Sequence, residues 1–326
     1  MAHTFWTDRN VFVTGGTGLL GSHMVTELLA RGANVTCLVR DQVPASLFYR
    51  DGLDRRVTIV NGPLEDYLLL ERALNEHEID TVLHLAAQAI VGTASRNPLS
   101  TWETNVRGTY NLLEACRRND KKVKRVVVAS SDKAYGDQPV LPYTEESPLE
   151  GRFPYDCSKS VTDLIARSYY ETYKVNTCIT RCGNLFGPGD LNWNRIVPGT
   201  LRAALRGERP VIRSDGSFVR DYVYVGDAVN AYLDVAEQME KPGVAGEAFN
   251  FSDEKPMNVI EIAKKVLAAA GRADLELDIR NQATHEIKEQ FLASGKARER
   301  LGWKPHHGLE EGLARTVKWY RELLGV

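Results

Sequence analysis

Long apolar runs are missing from this chain. None approaches the ~20 consecutive residues that span a bilayer, so no membrane helix is expected. The opening Met1-Ala2-His3-Thr4-Phe5-Trp6 leads into a strand pattern without a cleavable apolar region, so no signal peptide is expected either. Cysteine is scarce: Cys37, Cys116, Cys157, Cys178 and Cys182 are odd in number and form no CxxC pair. That argues against a disulfide framework and a zinc site, and it fits buried thiols in a reducing cytoplasm. Excess charge of one sign is absent too. Forty-one Lys and Arg against 43 Asp and Glu leave a net charge of −2, with no electrostatic footprint for nucleic acid or an anionic membrane. There is no repeat, no low-complexity stretch and no Pro/Gly/Ser linker. What remains, 326 residues at 43% apolar and 26% charged, suits a globular protein of one large domain or two ordinary ones.

Asn10-Val11-Phe12-Val13-Thr14 reads as a buried strand, Ser22 to Arg31 as a helix, and Val35 to Val39 as the next strand. Between the first two lies a GxxGxxG loop, Gly15 to Gly21. In a βαβ unit such glycines let the backbone turn tightly and approach a pyrophosphate, which the helix N-terminus then holds. Gly15, Thr17, Gly18, Leu19, Leu20 and Gly21 are therefore candidate dinucleotide contacts. The second strand ends in Arg40-Asp41, where an acid suits a ribose 2′-hydroxyl and an arginine a 2′-phosphate. Both are present, so NAD is expected and NADP stays possible. A fourth strand, Thr81 to Gln88, ends in Ala86-Ala87-Gln88, small enough for a cofactor to lie against its tip. His84 inside it reads as a core histidine.

Strand and helix alternate up to residue 182: Val57–Val60, Leu64–Leu74, Pro98–Arg117, the strand from Val126, a helix from about Tyr155 to Tyr173, and Thr177–Arg181. This predicts an α/β fold, a Rossmann doubly wound parallel sheet. Later elements are shorter: a helix at Ile196–Leu205, strands at Pro210–Ile212, Arg220–Val225, Ala248–Phe251 and Leu275–Ile279, and helices at Val225–Met239, Val259–Ala270 and Leu309–Leu324. They predict a smaller C-terminal α/β substrate-binding domain. Residues 1–182 plus about 217–252 are assigned to the dinucleotide domain, and about 183–216 plus 253–326 to the second.

The most telling stretch runs from Val126 to Lys159. An apolar strand delivers Ser131-Asp132-Lys133 to its end, and Tyr155 and Lys159, four apart on a helix, share a face. A hydroxyl, a carboxylate, an ammonium and a phenol converge there. A neighbouring ammonium favours the phenolate, so Tyr155 is expected to ionise more easily than a free phenol. Cys157, within the same segment, reads as a small helix residue.

These residues together resemble the extended short-chain dehydrogenase/reductase family of nucleotide-sugar epimerases and dehydratases. The resemblance covers essentially the whole chain. It rests on the glycine loop, His84-Leu85-Ala86-Ala87, Asn105, the trio Ser131, Tyr155 and Lys159, Arg220-Asp221-Tyr222-Val223-Tyr224-Val225-Gly226-Asp227, and Lys296 to Trp303. It implies homodimerisation through the helices near 98–117 and 156–173. Asn105 and Gln88 become cofactor contacts. The family's acid beside adenine is replaced here by Pro63, so adenine contacts fall to the backbone around Leu64 or to Asp66.

Within the family, Asp132-Lys133 resembles the CDP-glucose 4,6-dehydratase branch and some UDP-N-acetylhexosamine dehydratases; Phe5-Trp6 also looks like the former, whereas Leu20 stands where that branch tends to have lysine. The implied chemistry is oxidation at sugar C4 by Tyr155, Ser131 and Lys159. Water is then eliminated across C5 and C6, with Asp132 as acid and Lys133 at the base position, and hydride returns to C6. CDP-glucose is the first-choice substrate and GDP-mannose the next. Arg220, Arg195 and Arg213 offer planar forks for a diphosphate; Asn184 and Gln88 are further candidate substrate contacts. A 4-epimerase using the same Tyr–Lys pair is the alternative, and a dinucleotide-sensing regulator without turnover the remote one.

Overall fold

A computed structural model describes residues 5–282 and 287–326. The leader-free reading of Met1 to Thr4 lies outside them. Seven strands form one parallel sheet: β1 Asn10–Thr14, β2 Asn34–Val39, β3 Thr58–Asn61, β4 Thr81–His84, β5 Arg125–Ala129, β6 Thr177–Cys182 and β7 Ala248–Phe251. Their spatial order is β7-β6-β5-β4-β1-β2-β3. The chain winds outward from β1 in one direction, then restarts at β4 and winds in the other. Thr14 is level with Leu38 of β2 and His84 of β4, so a crevice opens at the carboxyl ends where the order reverses.

Alternation along each strand builds two cores, one on each sheet face. Val11, Val13, Cys37, Leu83, Val127 and Phe249 meet helices α1 (Leu19–Ala30) and α6 (Val225–Gln238) on one side. Phe12, Leu38, Val82, Val126, Val128 and Ile179 meet α2 (Tyr67–Glu76), α3 (Gly108–Arg118) and α4 (Pro154–Tyr173) on the other. This is the doubly wound Rossmann fold expected from the pattern. A third core joins α5 (Ile196–Arg206), α7 (Val259–Ala269) and α8 (Leu309–Leu324) through Leu201, Ile262, Val266, Leu313 and Tyr320. That lobe overhangs the crevice.

Several details depart from the sequence pattern, among them a fourth strand that ends at His84 rather than Gln88. The helix expected over 98–117 is three pieces, Pro98–Thr101, a wider π-type segment at Trp102–Arg107, and α3. The strand expected over 220–225 breaks at Asp221 into Val219–Arg220 and Tyr222–Tyr224, which pair with different partners. Leu275–Ile279 shrinks to Asp278–Ile279, because only those two residues find a ladder, against Val211–Ile212. The sequence pattern places the segment containing Gly295–Leu301 in the second domain. Its Ala297 and Leu301, with Trp303, pack instead into the core beside α6.

Candidate active site

A cleft of about 860 Å³ follows the carboxyl ends of the strands and is walled on its far side by the second lobe. At one end lies the glycine loop. Gly15 has φ +76°, and a Cβ there would come within 2.8 Å of the Ala86 nitrogen. A Cβ at Gly21 would meet the Gly15 carbonyl oxygen at 2.0 Å. Only hydrogen fits at either position, so the loop can lie flat on the β4 tip. Helix α1 follows with Gly18 as its N-cap and no side chain accepting from its first turn. Its leading N–H groups, together with the helix dipole, make an anion-binding end. Thr17, Leu19, Leu20, Ala86 and Ala87 line the same end. The residues present thus fit a dinucleotide pyrophosphate.

Farther along, Arg40 and Asp41 both line the cleft and pair with each other, Nε to Oδ2 at 2.6 Å. Leu64 lines it as well. Asp66 does not; its carboxylate caps α2 by accepting from the Leu69 N–H at 3.0 Å. Glu65 faces the cleft instead, with Oε1 accepting from the Thr104 hydroxyl at 2.8 Å and Oε2 buried without a partner among the described residues. Nothing in the sequence pattern singles out Glu65, because its placement depends on the π segment that carries Thr104.

Asn105 and Gln88 do not reach the cleft wall. The Asn105 amide is buried. It accepts from the Gln88 N–H at 2.7 Å and donates to the Gln88 carbonyl at 3.2 Å and the Ser158 hydroxyl at 2.8 Å. The Gln88 side chain accepts from Ile90 N–H. Both therefore brace the β4 extension against α4. His84 is a satisfied core histidine: buried, bonded to Thr14 and Thr109, and pushed down to about 3 by burial.

Ser131, Asp132, Lys133, Tyr155 and Lys159 all line the middle of the cleft. A short 3₁₀ turn, Asp132–Tyr135, presents the first three, and Ser131 caps it by accepting from the Lys133 N–H at 3.2 Å. The Ser131 hydroxyl donates to Asp132 Oδ1 at 2.8 Å. Lys159 Nζ donates to the Ala129 carbonyl at 2.7 Å, which pins the ammonium at the β5 tip. Burial pushes it down to about 8, against the pull of Asp163. The phenol departs from expectation. Burial pushes Tyr155 up to about 12, with Asp132 adding to the rise and Arg195 opposing it. Desolvation governs the phenol, and the cation that opposes it most is Arg195 rather than Lys159. Asp132 is raised by burial too, and its Oδ2 has no partner among the described residues.

The turn is tied to its surroundings by a buried cluster. Arg181 grips Asp163 with two bonds, at 2.7 and 2.8 Å, and donates to the Tyr135 hydroxyl at 2.7 Å; that hydroxyl donates to Asn250. Asp163 lies one turn beyond Lys159 on α4, and Tyr135 closes the turn that carries Asp132. One arginine thus fixes the two halves of the cluster to each other.

At the far end Asn184, Arg195, Arg213 and Arg220 line the cleft. Arg195 pairs with Asp190 at 3.2 Å, and Arg213 donates to the Asn194 side chain at 2.9 Å. Arg220 is buried and braces backbone, donating to the carbonyls of Val219 at 2.7 Å, Lys288 at 2.9 Å, and Ile287. Trp193 packs on Tyr320, ring centroids 5.5 Å apart, and belongs to the lobe core rather than the cleft wall. Asp221, next to Arg220, is fully buried. Its Oδ2 accepts from the Leu292 N–H, its Oδ1 has no partner among the described residues, and burial with the nearby Asp132 charge pushes it up to about 7.

Comparison with known proteins agrees with this architecture. A family model described as GDP-mannose 4,6 dehydratase matches residues 12–316. The CDP-glucose 4,6-dehydratase of Salmonella typhimurium is 34% identical over 333 residues, covering 97% of this chain and 92% of that protein. The crystal structure of a double mutant of DesIV, the dTDP-glucose 4,6-dehydratase of Streptomyces venezuelae, with NAD and DAU bound, is 32% identical with a TM-score of 0.88, covering 97% of this chain and 98% of that one. The UDP-glucose 4-epimerase of Thermotoga maritima, solved with UDP-glucose, is also 32% identical with a TM-score of 0.88, over 97% and 99%. The match to the family model and to the Salmonella protein over nearly the full chain decides the assignment: this chain belongs to the GDP-mannose 4,6 dehydratase family, among the NAD-dependent epimerases and dehydratases, and is an enzyme of the dehydratase type.

Proposed function

We propose that this protein is a nucleotide-diphosphate-sugar 4,6-dehydratase that converts its substrate to a 4-keto-6-deoxy sugar, with CDP-glucose the first-choice substrate and GDP-mannose the next. The observation that carries it is Asp132, a buried carboxylate hydrogen-bonded to Ser131 within the cleft that Tyr155 and Lys159 line. An oxidising site alone needs no such acid. The Salmonella relative supports the choice of CDP-glucose. NAD is the proposed cofactor, held by the glycine loop and the first turn of α1, as the NAD-bound relatives suggest. When bound, NAD would supply a hydride acceptor at sugar C4 and a hydride donor at C6.

Tyr155 would take the proton from the C4 hydroxyl, and Ser131 would hydrogen-bond the same oxygen. The resulting ketone acidifies C5. Asp132, kept protonated by its burial, would give its proton to the departing C6 hydroxyl. Lys133, half-buried on the same turn, stands at the base position, where it would take the C5 proton or orient the water or substrate involved. Asn184, Arg195 and Arg213 would meet the diphosphate, with Arg220 shaping the segment beneath it. The apolar Leu99 and Leu164, 69% and 53% exposed on the helices expected to pair, suit a homodimer.

Incubation with CDP-glucose, GDP-mannose, dTDP-glucose and UDP-sugars tests the reading, with products followed by NMR in D₂O. A 4-keto-6-deoxy product labelled at C5 is expected. Epimer without C5 label would replace it by the 4-epimerase reading, which the Thermotoga neighbour favours.

A further inference from the structure

The buried cluster behind the site contains charges that the proposed reaction leaves unused. Asp163, Arg181, Tyr135 and Asn250 are at most 4% exposed, and none of them lines the cleft, so none can touch a substrate. Stability alone is a weak reason for them, because a buried ion pair is often no better than apolar side chains of the same volume. Their geometry is more specific. Arg181 on β6 and Asn250 on β7 stand level with each other in the sheet. The Tyr135 hydroxyl bonds to both, accepting from Arg181 Nη1 at 2.7 Å and donating to Asn250 Oδ1 at 2.7 Å. The same guanidinium holds Asp163 of α4 through Nε and Nη2, at 2.7 and 2.8 Å. Asp163 continues the face of α4 that carries Tyr155 and Lys159, in steps of four residues. Arg181 therefore spaces the helix of Tyr155 and Lys159 from the turn of Asp132 and Lys133.

We infer that Tyr135 is a positioning residue for the elimination step: through its bond to Arg181 it holds the Asp132–Lys133 turn in register with α4, and the oxidation step does not depend on it. The turn has two ends. Its start is fixed by the sheet, because the Ser130 N–H donates to the Thr180 carbonyl at 2.9 Å and Ser131 follows directly. The three groups assigned to oxidation, Ser131, Tyr155 and Lys159, are thus placed by β5 and α4. Asp132 and Lys133 lie between that start and Tyr135, the last residue of the turn. Without the Tyr135 hydroxyl the turn keeps two other ties. The Ser160 hydroxyl donates to the Ala134 carbonyl at 2.8 Å, and the Tyr143 hydroxyl to the Gly136 carbonyl at 2.7 Å. The turn then loosens rather than unfolds. A shift of about 1 Å in a group that must face the reacting atoms costs about 100-fold in rate.

The inference rests on the dehydratase reading, and a single turnover separates the two. Holoenzyme in excess is mixed with CDP-glucose, or whichever of the four substrate types yields 4-keto product, and reduced NAD is followed by its absorbance. Tyr135→Phe keeps the ring and drops the hydroxyl. In that variant reduced NAD should form at the unaltered rate and then persist about 10- to 100-fold longer, with kcat lowered to match and NAD affinity unchanged. Arg181→Lys leaves a cation beside Asp163 and gives up the bond to the phenol. It should show the same pattern, and it carries the test if the phenylalanine variant folds poorly. In an Asp132→Asn background, Tyr135→Phe should cost little more, because both changes act on one step. Slow formation of reduced NAD, or loss of NAD binding in both variants, makes the cluster a pin for the whole site and overturns the inference with the dehydratase reading intact. Unaltered kinetics in Tyr135→Phe, or losses that simply add to that of Asp132→Asn, overturn it as well. Absence of 4-keto product from the unaltered protein with every substrate overturns both.

Discussion

Asp221 shows what burial does to a side chain that sequence spacing alone leaves ambiguous. It stands in the quoted Arg220-Asp221-Tyr222 motif, yet nothing in that string says that its carboxylate is enclosed next to a second one. Its pKa of about 7 in the fold lies above the ordinary value of 3.8. The folded state therefore binds the proton more tightly than the unfolded chain does. Below pH about 4 both states are protonated and the group costs nothing. Between pH 4 and 7 the unfolded chain ionises first, so stability falls as pH rises, and above 7 the penalty is complete. Asp221→Asn removes the ionisation and keeps an acceptor for the Leu292 N–H. The expected result is a Tm advantage over the unaltered protein that grows from pH 4 to pH 7 and then levels off. A constant difference across that range would show that Asp221 does not titrate there. The same limit explains Tyr155 and Glu65. Spacing brings the phenol and ammonium together, but only the enclosed site shows that burial raises the phenol. Glu65 follows Pro63 by two residues, but its orphaned oxygen is visible only against Thr104. In contrast, Ser131, Asp132, Lys133, Tyr155 and Lys159 were legible because a strand end and one helical turn fix their directions with little help from the rest of the fold.

The glycine loop and the π segment differ in how openly the sequence declares them. The loop sits between two clear strands, and its glycines have a steric reason that can be tested. Gly21→Ala puts a methyl group 2.0 Å from the Gly15 carbonyl oxygen, so backbone must move. Overpacking of this kind costs about 1–3 kcal/mol. If that cost falls on the bound loop conformation, NAD affinity should drop about 10- to 100-fold by calorimetry, with the far-ultraviolet circular dichroism unchanged. An unaltered affinity would mean that the loop does not carry the pyrophosphate. The π segment was hidden, because 98–117 has an apolar spacing that a uniform helix satisfies as well. Its effect is to turn Asn105 towards both Gln88 and Ser158. Asn105→Ala leaves the Gln88 N–H and the Ser158 hydroxyl short of a partner in a buried place, at a cost of about 1–3 kcal/mol per group left unpaired. A lower denaturant midpoint with an unchanged m-value is the expected result, together with weaker NAD binding as the β4 tip loosens. A midpoint equal to that of the unaltered protein would show that these bonds are not needed.

The sheet order follows from alternating strand and helix plus right-handed crossovers, so the crevice could be placed from sequence. The overhanging lobe could not be drawn with equal detail. Its strands are two or three residues long and exist only because partners lie beside them: Val219–Arg220 lies between Met257–Asn258 and Glu289–Gln290, a contact across tens of residues. Association between chains is a further step in the same direction, since it depends on what the fold leaves uncovered. Leu164 on α4 and Leu99 at the head of the 98–118 helical run are 53% and 69% exposed, with Tyr110 on α3 at 41%. Scattered apolar side chains need no explanation, but these three sit on elements that pack beside one another. If two copies pair through this surface, Leu164 is desolvated twice in each dimer, because a two-fold interface repeats every contact. Placing a carboxylate there by Leu164→Glu would bury two like charges, and pairing should fail. Light scattering should then read 36.4 kDa for the variant and twice that for the unaltered protein. The Tm of the variant should also lose its dependence on protein concentration. A variant that keeps the doubled mass would move the interface elsewhere, and an unaltered protein that already reads 36.4 kDa would remove it.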